Sequence, residues 1–230
     1  MKRVVDSQRT YYDLRAQDYC DPSKPADRKV RSYMDPEVSR RLVDDFAPTG
    51  DVLELACGPG QSTVDLVRHA RTLTVVDGSE RMLERNREQI ADPSVRYVCA
   101  DIFEWEPDRL YDEVFFAFWL SHVPPNAFDA FWAMVRRCLN AGGRVGFVDE
   151  DDRASGHDDV RDVKGIPTAT RTLSDGRTFD IVKVFWPAAE LEQRLRALQW
   201  DVTVRRVGET CLYGAGLPLT NATISSMEGS

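Results

Sequence analysis

Short apolar bursts recur along the chain, separated by stretches with helical spacing. Val52, Leu53 and Leu55 open the series, predicting a strand over 51–55, then a glycine loop and a helix over about 61–71. A second strand is predicted over 73–76, ending at Asp77, and Ser79 caps a helix to about Ile90. A third strand is predicted over 95–100, ending at Asp101. A fourth, over 114–118, is apolar throughout, which places it centrally with both faces buried. A helix follows over 126–139, Gly142 and Gly143 break it, and a fifth strand runs over 144–148. This alternation predicts an α/β fold with a doubly wound parallel sheet.

The rhythm changes at both ends. Residues 1–35 are polar, carry Tyr11, Tyr12 and Tyr19, and read as a lid segment ahead of the main domain, 36–216. Asp35, Pro36 and Glu37 start a helix to about Phe46, with Val38, Leu42 and Phe46 on one face. Beyond Asp149, seven acids fall within 149–162. A hairpin over 170–183 turns at Asp175-Gly176, and the insert at about 150–185 is expected to contribute to a substrate pocket. A helix over 187–198 and strands over 201–206 and 210–213 complete an antiparallel edge pair. The tail 217–230 is expected to be flexible.

Composition narrows the partners. With 230 residues the chain is long enough to bury a core without disulfides or a structural metal. The net charge of −8 opposes wrapping phosphates, so a small molecule is expected rather than nucleic acid. No apolar run approaches the ~20 residues of a membrane helix, and no signal peptide is visible. The five cysteines, Cys20, Cys57, Cys99, Cys138 and Cys211, form no CxxC pair and read as free thiols in a cytoplasmic protein. A monomer or homodimer is expected.

In such a sheet the ligand sits beyond the carboxyl ends of the strands. There the chain places Glu54 to Gly60, Asp77, Asp101, Trp119 to His122, and Asp149. Gly58 and Gly60 let the backbone approach a ligand closely. Asp77, 19 residues after Gly58, can accept from both ribose hydroxyls of an adenosine. A dinucleotide fold would want a third glycine where Thr63 stands, and a pyrophosphate would be repelled by Glu54. A carboxylate at Glu54 suits an ammonium group, which S-adenosylmethionine (SAM) carries without any phosphate.

Residues 52–60 (VLELACGPG) are similar to the first motif of class I SAM-dependent methyltransferases. Thr74 to Ser79 resemble the second motif, Cys99 to Phe103 the third and Asp112 to Phe118 the fourth. The likeness covers roughly 36–216 and implies a Rossmann-like, seven-stranded mixed sheet with helices on both faces, an antiparallel last strand pair and an N-terminal helical lid. It implies that Glu54 faces the methionine ammonium, with Ala56, Cys57, Gly58 and Gly60 along the methionyl and ribose side. Asp77 would hold the ribose, Gly78 and Met82 would pack near adenine, and Asp101 and the Ile102 amide would meet its ring. Phe118 would flank the methionyl chain and Tyr19 would close over it.

Family members that methylate nucleic-acid or protein nitrogen often carry Asn/Asp-Pro-Pro-aromatic after the fourth strand. Here the stretch reads Trp119-Leu120-Ser121-His122-Val123-Pro124-Pro125, closer to small-molecule O-methyltransferases. His122 is a candidate general base, a substrate contact or a structural residue, and Asp149 is a candidate to orient it. Tyr11, Tyr12 and Trp119 are candidate acceptor contacts, and Arg28, Lys29 and Arg31 either meet an anionic substrate or form a solvated face. The acids at 149–152 resemble a Mg²⁺ cluster only weakly, and no metal is expected. Carboxyl or nitrogen methylation, an NAD-dependent oxidoreductase and a silent SAM-binding partner protein remain the alternatives.

Overall fold

The computed structural model describes residues 2–19, 43 and 45–219, with His157 described by its backbone alone. The expected helix over 36–46 lies largely outside the described residues; Val43, Asp45 and Phe46 are helical. Arg28, Lys29 and Arg31 also lie outside them.

Ten strands and five α-helices are described. The strands are β1 (Asp51–Leu55), β2 (Thr72–Asp77), β3 (Arg96–Cys99), β4 (Tyr111–Ala117), β5 (Leu139–Glu150), β6 (Val160–Asp162), β7 (Pro167–Thr172), β8 (Thr178–Val182), β9 (Trp200–Val207) and β10 (Cys211–Pro218). The helices are α1 (Lys2–Arg15), α2 (Thr63–Leu66), α3 (Glu80–Ile90), α4 (Phe128–Cys138) and α5 (Ala188–Ala197).

Seven strands form one sheet in the order β3-β2-β1-β4-β5-β10-β9. The first five are parallel and the last two antiparallel, as the alternation and the terminal pair predicted. The strand order reverses between β1 and β4, which opens a crevice at their carboxyl ends. Alternate side chains of each strand enter opposite cores. Val52, Val75 and Phe115 pack with Leu66 and Leu83 of α2 and α3. Leu53, Val114 and Phe116 pack with Phe131 and Trp132 of α4 and Leu191 and Leu195 of α5. Phe116 stacks on Phe147 with ring centroids 5.3 Å apart, so β4 is the central strand its apolar run indicated.

Four expectations change. The helix over 61–71 shrinks to Thr63–Leu66, with turns on either side. β5 begins at Leu139, so Gly142 and Gly143 lie inside it. β10 continues to Pro218, which draws Leu217 into the sheet; 220–230 lie outside the described residues. The insert builds a separate three-stranded sheet, β6-β7-β8, of which only the hairpin at Asp175-Gly176 was foreseen. Tyr11 of α1 packs on Ala169 and Ile181 of that sheet, so the N-terminal helix roofs the crevice.

Candidate functional site

One cavity of about 560 Å³ opens at the carboxyl ends of β1, β2 and β4. Its walls come from α1, the loops after those strands, and the insert.

β1 delivers Glu54 into the floor, 1% exposed. Burial pushes its carboxyl up to about 8, against a hydrogen bond from Thr63 Oγ1 at 2.6 Å that favours ionisation. A carboxyl desolvated this way is a candidate partner for a cationic group, whose charge would favour its ionised form. The chain then turns sharply: Ala56 has φ 51° and Gly58 φ 52°. A Cβ built on Gly58 meets nothing within 4 Å, so that backbone is bare toward the cavity. Gly58 N donates to Asp77 Oδ2 at 2.9 Å and Ser79 N to Oδ1 at 2.9 Å. These bonds fix the Asp77 carboxylate across the crevice and leave each oxygen a lone pair for a ligand. Burial nevertheless raises Asp77 to about 6. Phe118, at the end of β4, is also held at positive φ, 52°, and Phe118 N donates to Val148 O at 2.7 Å. Strained non-glycine residues at the ends of two adjacent strands make this corner a candidate binding site.

Cys57, Gly78, Met82, Asp101, Ile102 and Phe118 all line this half, with Ala56 and Tyr19. Gly60 is not in the wall; it sits behind it, its Cα facing Asn86. Asp101 is less free than expected. It accepts from Phe103 N at 3.0 Å and pairs with Arg9 of α1 at 3.5 Å.

The other half joins residues singled out from the sequence to residues that were not. Tyr11, Tyr12, Trp119, His122, Arg171 and Lys183 line it. Trp119 packs on Phe103, ring centroids 5.5 Å apart. His122 Nδ1 lies 2.8 Å from Val182 O and Nε2 lies 2.8 Å from Tyr12 Oη. A carbonyl only accepts, so the network assigns the proton to Nδ1, and Tyr12 donates to Nε2. Desolvation, helped by the Lys183 charge, lowers His122 to about 3. Asp149 does not reach the ring. Its oxygens accept from Ser121 N at 3.0 Å and Glu150 N at 2.8 Å, which orders the loop that carries His122. Burial raises Asp149 to about 6.

Lys183, 3% exposed, pairs with Glu150, and Arg171 pairs with Asp158 at 2.7 Å. Lys183 and Arg171 were not singled out from the sequence, nor was Gln8 of α1, buried at 3% beside His122. Among the described residues no group of three His, Cys, Asp or Glu is placed to hold a metal, and no helix is long and apolar enough to cross a membrane.

The chain is similar to known proteins in sequence and in fold. A family profile described as a methyltransferase domain matches residues 52–143. A solved DhpI–SAM–HEP complex is 39% identical, with a TM-score of 0.80, covering 95% of this chain and 99% of that one. A DhpI complex with S-adenosylhomocysteine (SAH) gives 38% and 0.79, over 95% and 98%. Trans-aconitate 2-methyltransferase of Enterobacter sp. (strain 638) is 35% identical over 89 residues, 38% of this chain. The match spans 33% of that relative's length. The cofactor half fits SAM: a buried acid for the ammonium, a fixed carboxylate for the ribose, and bare glycine backbone between them.

Proposed function

The chain belongs to the class I SAM-dependent methyltransferases, and on that premise we propose that it methylates an already ionised oxygen of a small acid. One observation carries the reading: both nitrogens of His122, the only histidine of the cavity wall among the described residues, are engaged, and Lys183 and Arg171, each paired with an acid, line the same half. A base is needed to methylate a weakly acidic hydroxyl, but not a carboxylate or a phospho-acid oxygen. The names of the curated relatives, trans-aconitate 2-methyltransferases, support an acid acceptor.

When bound, SAM supplies an electrophilic methyl group on a sulfonium. The acceptor oxygen's lone pair forms the new O–C bond while the C–S electron pair returns to sulfur. Opposite charges meet and cancel, so the chain's task is to orient the reactants and keep water out. Glu54 would take the ammonium, Asp77 the ribose, and the Gly58 and Phe118 backbone would flank the methionyl chain. Lys183 and Arg171 would hold the acid's other oxygens, since each cation keeps N–H donors beyond its paired carboxylate. Tyr12 and α1 would cover the pair. Trp119 would wall the acceptor.

Incubating the protein with labelled SAM and a panel of small carboxylic acids, phospho-acids, phenols and amines tests this. Trans-aconitate is the first acid to try. Methyl esters of acids are expected. Methylation confined to phenols would instead favour His122 as a base drawing its proton relay through Tyr12, the reading that their 2.8 Å contact would then support.

A further inference from the structure

Val182 sits at the free edge of the three-stranded sheet. It lies opposite Thr168, and Lys183 N donates to Pro167 O at 2.9 Å. Bonded and non-bonded pairs alternate along an antiparallel ladder, so the Val182 amide and carbonyl face away from β7. Val182 is fully buried, and buried peptide groups pointing off an edge need partners. Here both partners are side chains. Val182 N donates to Gln8 Oε1 at 3.0 Å, and His122 Nδ1 donates to Val182 O at 2.8 Å. Gln8 Nε2 then donates to His122 O at 3.3 Å, which closes a ring of three residues. Tyr12, one turn beyond Gln8 on α1, donates to the remaining His122 nitrogen.

This ring demands a carboxamide. Position 8 must accept from one peptide and donate to another at the same time, which neither a carboxylate nor an apolar side chain can do. Its members come from α1, the loop after β4, and β8; Gln8 and His122 line the cavity, and Val182 directly precedes Lys183, which also lines it. With Nδ1 committed to Val182, the His122 lone pair is aimed at Tyr12, and the Tyr12 proton is turned inward. We infer that Gln8 is a positioning residue for methyl transfer: its ring with His122 and Val182 fixes one imidazole tautomer and thereby the Tyr12 hydroxyl at the acceptor end of the cavity. The inference rests on reading that end as the acceptor pocket.

The test uses the full chain with ¹⁵N-labelled histidine, of which there are three residues. Gln8→Met keeps length and loses both hydrogen bonds; Gln8→Glu keeps the acceptor for Val182 and loses the donor for His122. The wild type is expected to show His122 protonated on Nδ1. In Gln8→Met that signature should be lost, with kcat on the best acid lowered about tenfold or more by the displaced wall. The Kd for SAH should stay within about threefold, because the ring does not reach Glu54 or Asp77. Gln8→Glu should fall between the two. If Gln8→Met fails to fold, Gln8→Glu decides alone. A wild-type His122 protonated on Nε2 would overturn the inference, as would a Gln8 variant that loses kcat with the His122 spectrum unchanged. If the wild type methylates no acid, the acceptor reading fails by itself, and the histidine spectra still decide the role of Gln8.

Discussion

Thr63 Oγ1 donates to Glu54 Oε2 at 2.6 Å, so the side chain standing in place of a third loop glycine is the one that holds the buried carboxylate. Asn86 completes the arrangement, its Nδ2 lying 2.9 Å from Thr63 Oγ1. The departure from a dinucleotide fingerprint and the presence of a buried acid are therefore one feature. A loop that needed room for a pyrophosphate would have no use for either.

Because burial raises Glu54 from 4.5 to about 8, the unliganded protein should lose stability as pH rises. The sign follows from proton counting. Between about pH 4.5 and 8 the folded state holds a proton that the unfolded state has released, so this contribution is full below that window and gone above it. Asp77, raised from 3.8 to about 6, acts in the same direction over a lower range. Glu54→Gln removes the Glu54 part. Its melting temperature relative to wild type is expected to climb between about pH 5 and 8. A constant gap across that range would mean that Glu54 ionises normally.

The same proton should leave when an ammonium-bearing ligand binds. Titrating SAH calorimetrically at about pH 7 in two buffers of different ionisation enthalpy should show net proton release in the wild type, and less in Glu54→Gln. Asp77→Ala should weaken SAH by about 1.5–3 kcal/mol through the lost charged hydrogen bonds. Asp101→Asn should cost less than Asp77→Ala, since Asp101 already serves Phe103 N and Arg9. Equal losses at the two positions would place the ribose contact wrongly.

Turnover on an ionised acid should not follow the titration of an imidazole. His122 is lowered to about 3 and both its nitrogens are bonded, so kcat/KM for a carboxylic acid at saturating SAM is expected to carry no imidazole limb; a limb near pH 6 belongs to Asp149, which orders the His122 loop. His122→Gln should lower kcat by misplacing Tyr12 without adding or removing a limb of that profile. An ascending limb in the wild type that His122→Gln abolishes would restore His122 as the base.

Most of the cavity wall that we propose takes SAM was legible because its residues are local. Glu54, Gly58 and Asp77 follow strands whose apolar spacing is plain, and a strand's end fixes where its next residue points. The other half was legible only in part: Tyr11, Tyr12, Trp119 and His122 were singled out and line the cavity, but the ring of Gln8, His122 and Val182 closes across separations of 60 to 174 residues, which no local pattern shows. Lys183 and Arg171 look like ordinary exposed charges of a hairpin until α1 and the β4 loop close over them. The strand predicted over 210–213 runs on to Pro218. Gly214 and Gly216 lie inside that continuation, where a Cβ would collide with the Phe147 ring and the Asp201 carbonyl. They are there for close packing, not for a turn.

Lys183 offers the sharpest test of the acid reading, because its pairing with Glu150 makes two roles separable. Lys183→Met removes a buried cation and leaves the Glu150 carboxylate unpaired beside the acceptor. The KM for an acid should rise about 10- to 100-fold, with the Kd for SAH little changed. If the lysine merely neutralised Glu150, adding Glu150→Gln to Lys183→Met would bring KM back to the wild-type value. If the lysine holds the acid, as its place in the cavity wall implies, the double variant should recover only the part due to repulsion and stay well above wild type. Lys183→Arg, which keeps the charge, should retain most of the affinity. A double variant as good as wild type would leave Arg171 as the acid's remaining cation, and the same pair of substitutions at Arg171 and Asp158 would then decide whether the pocket recognises an anion at all.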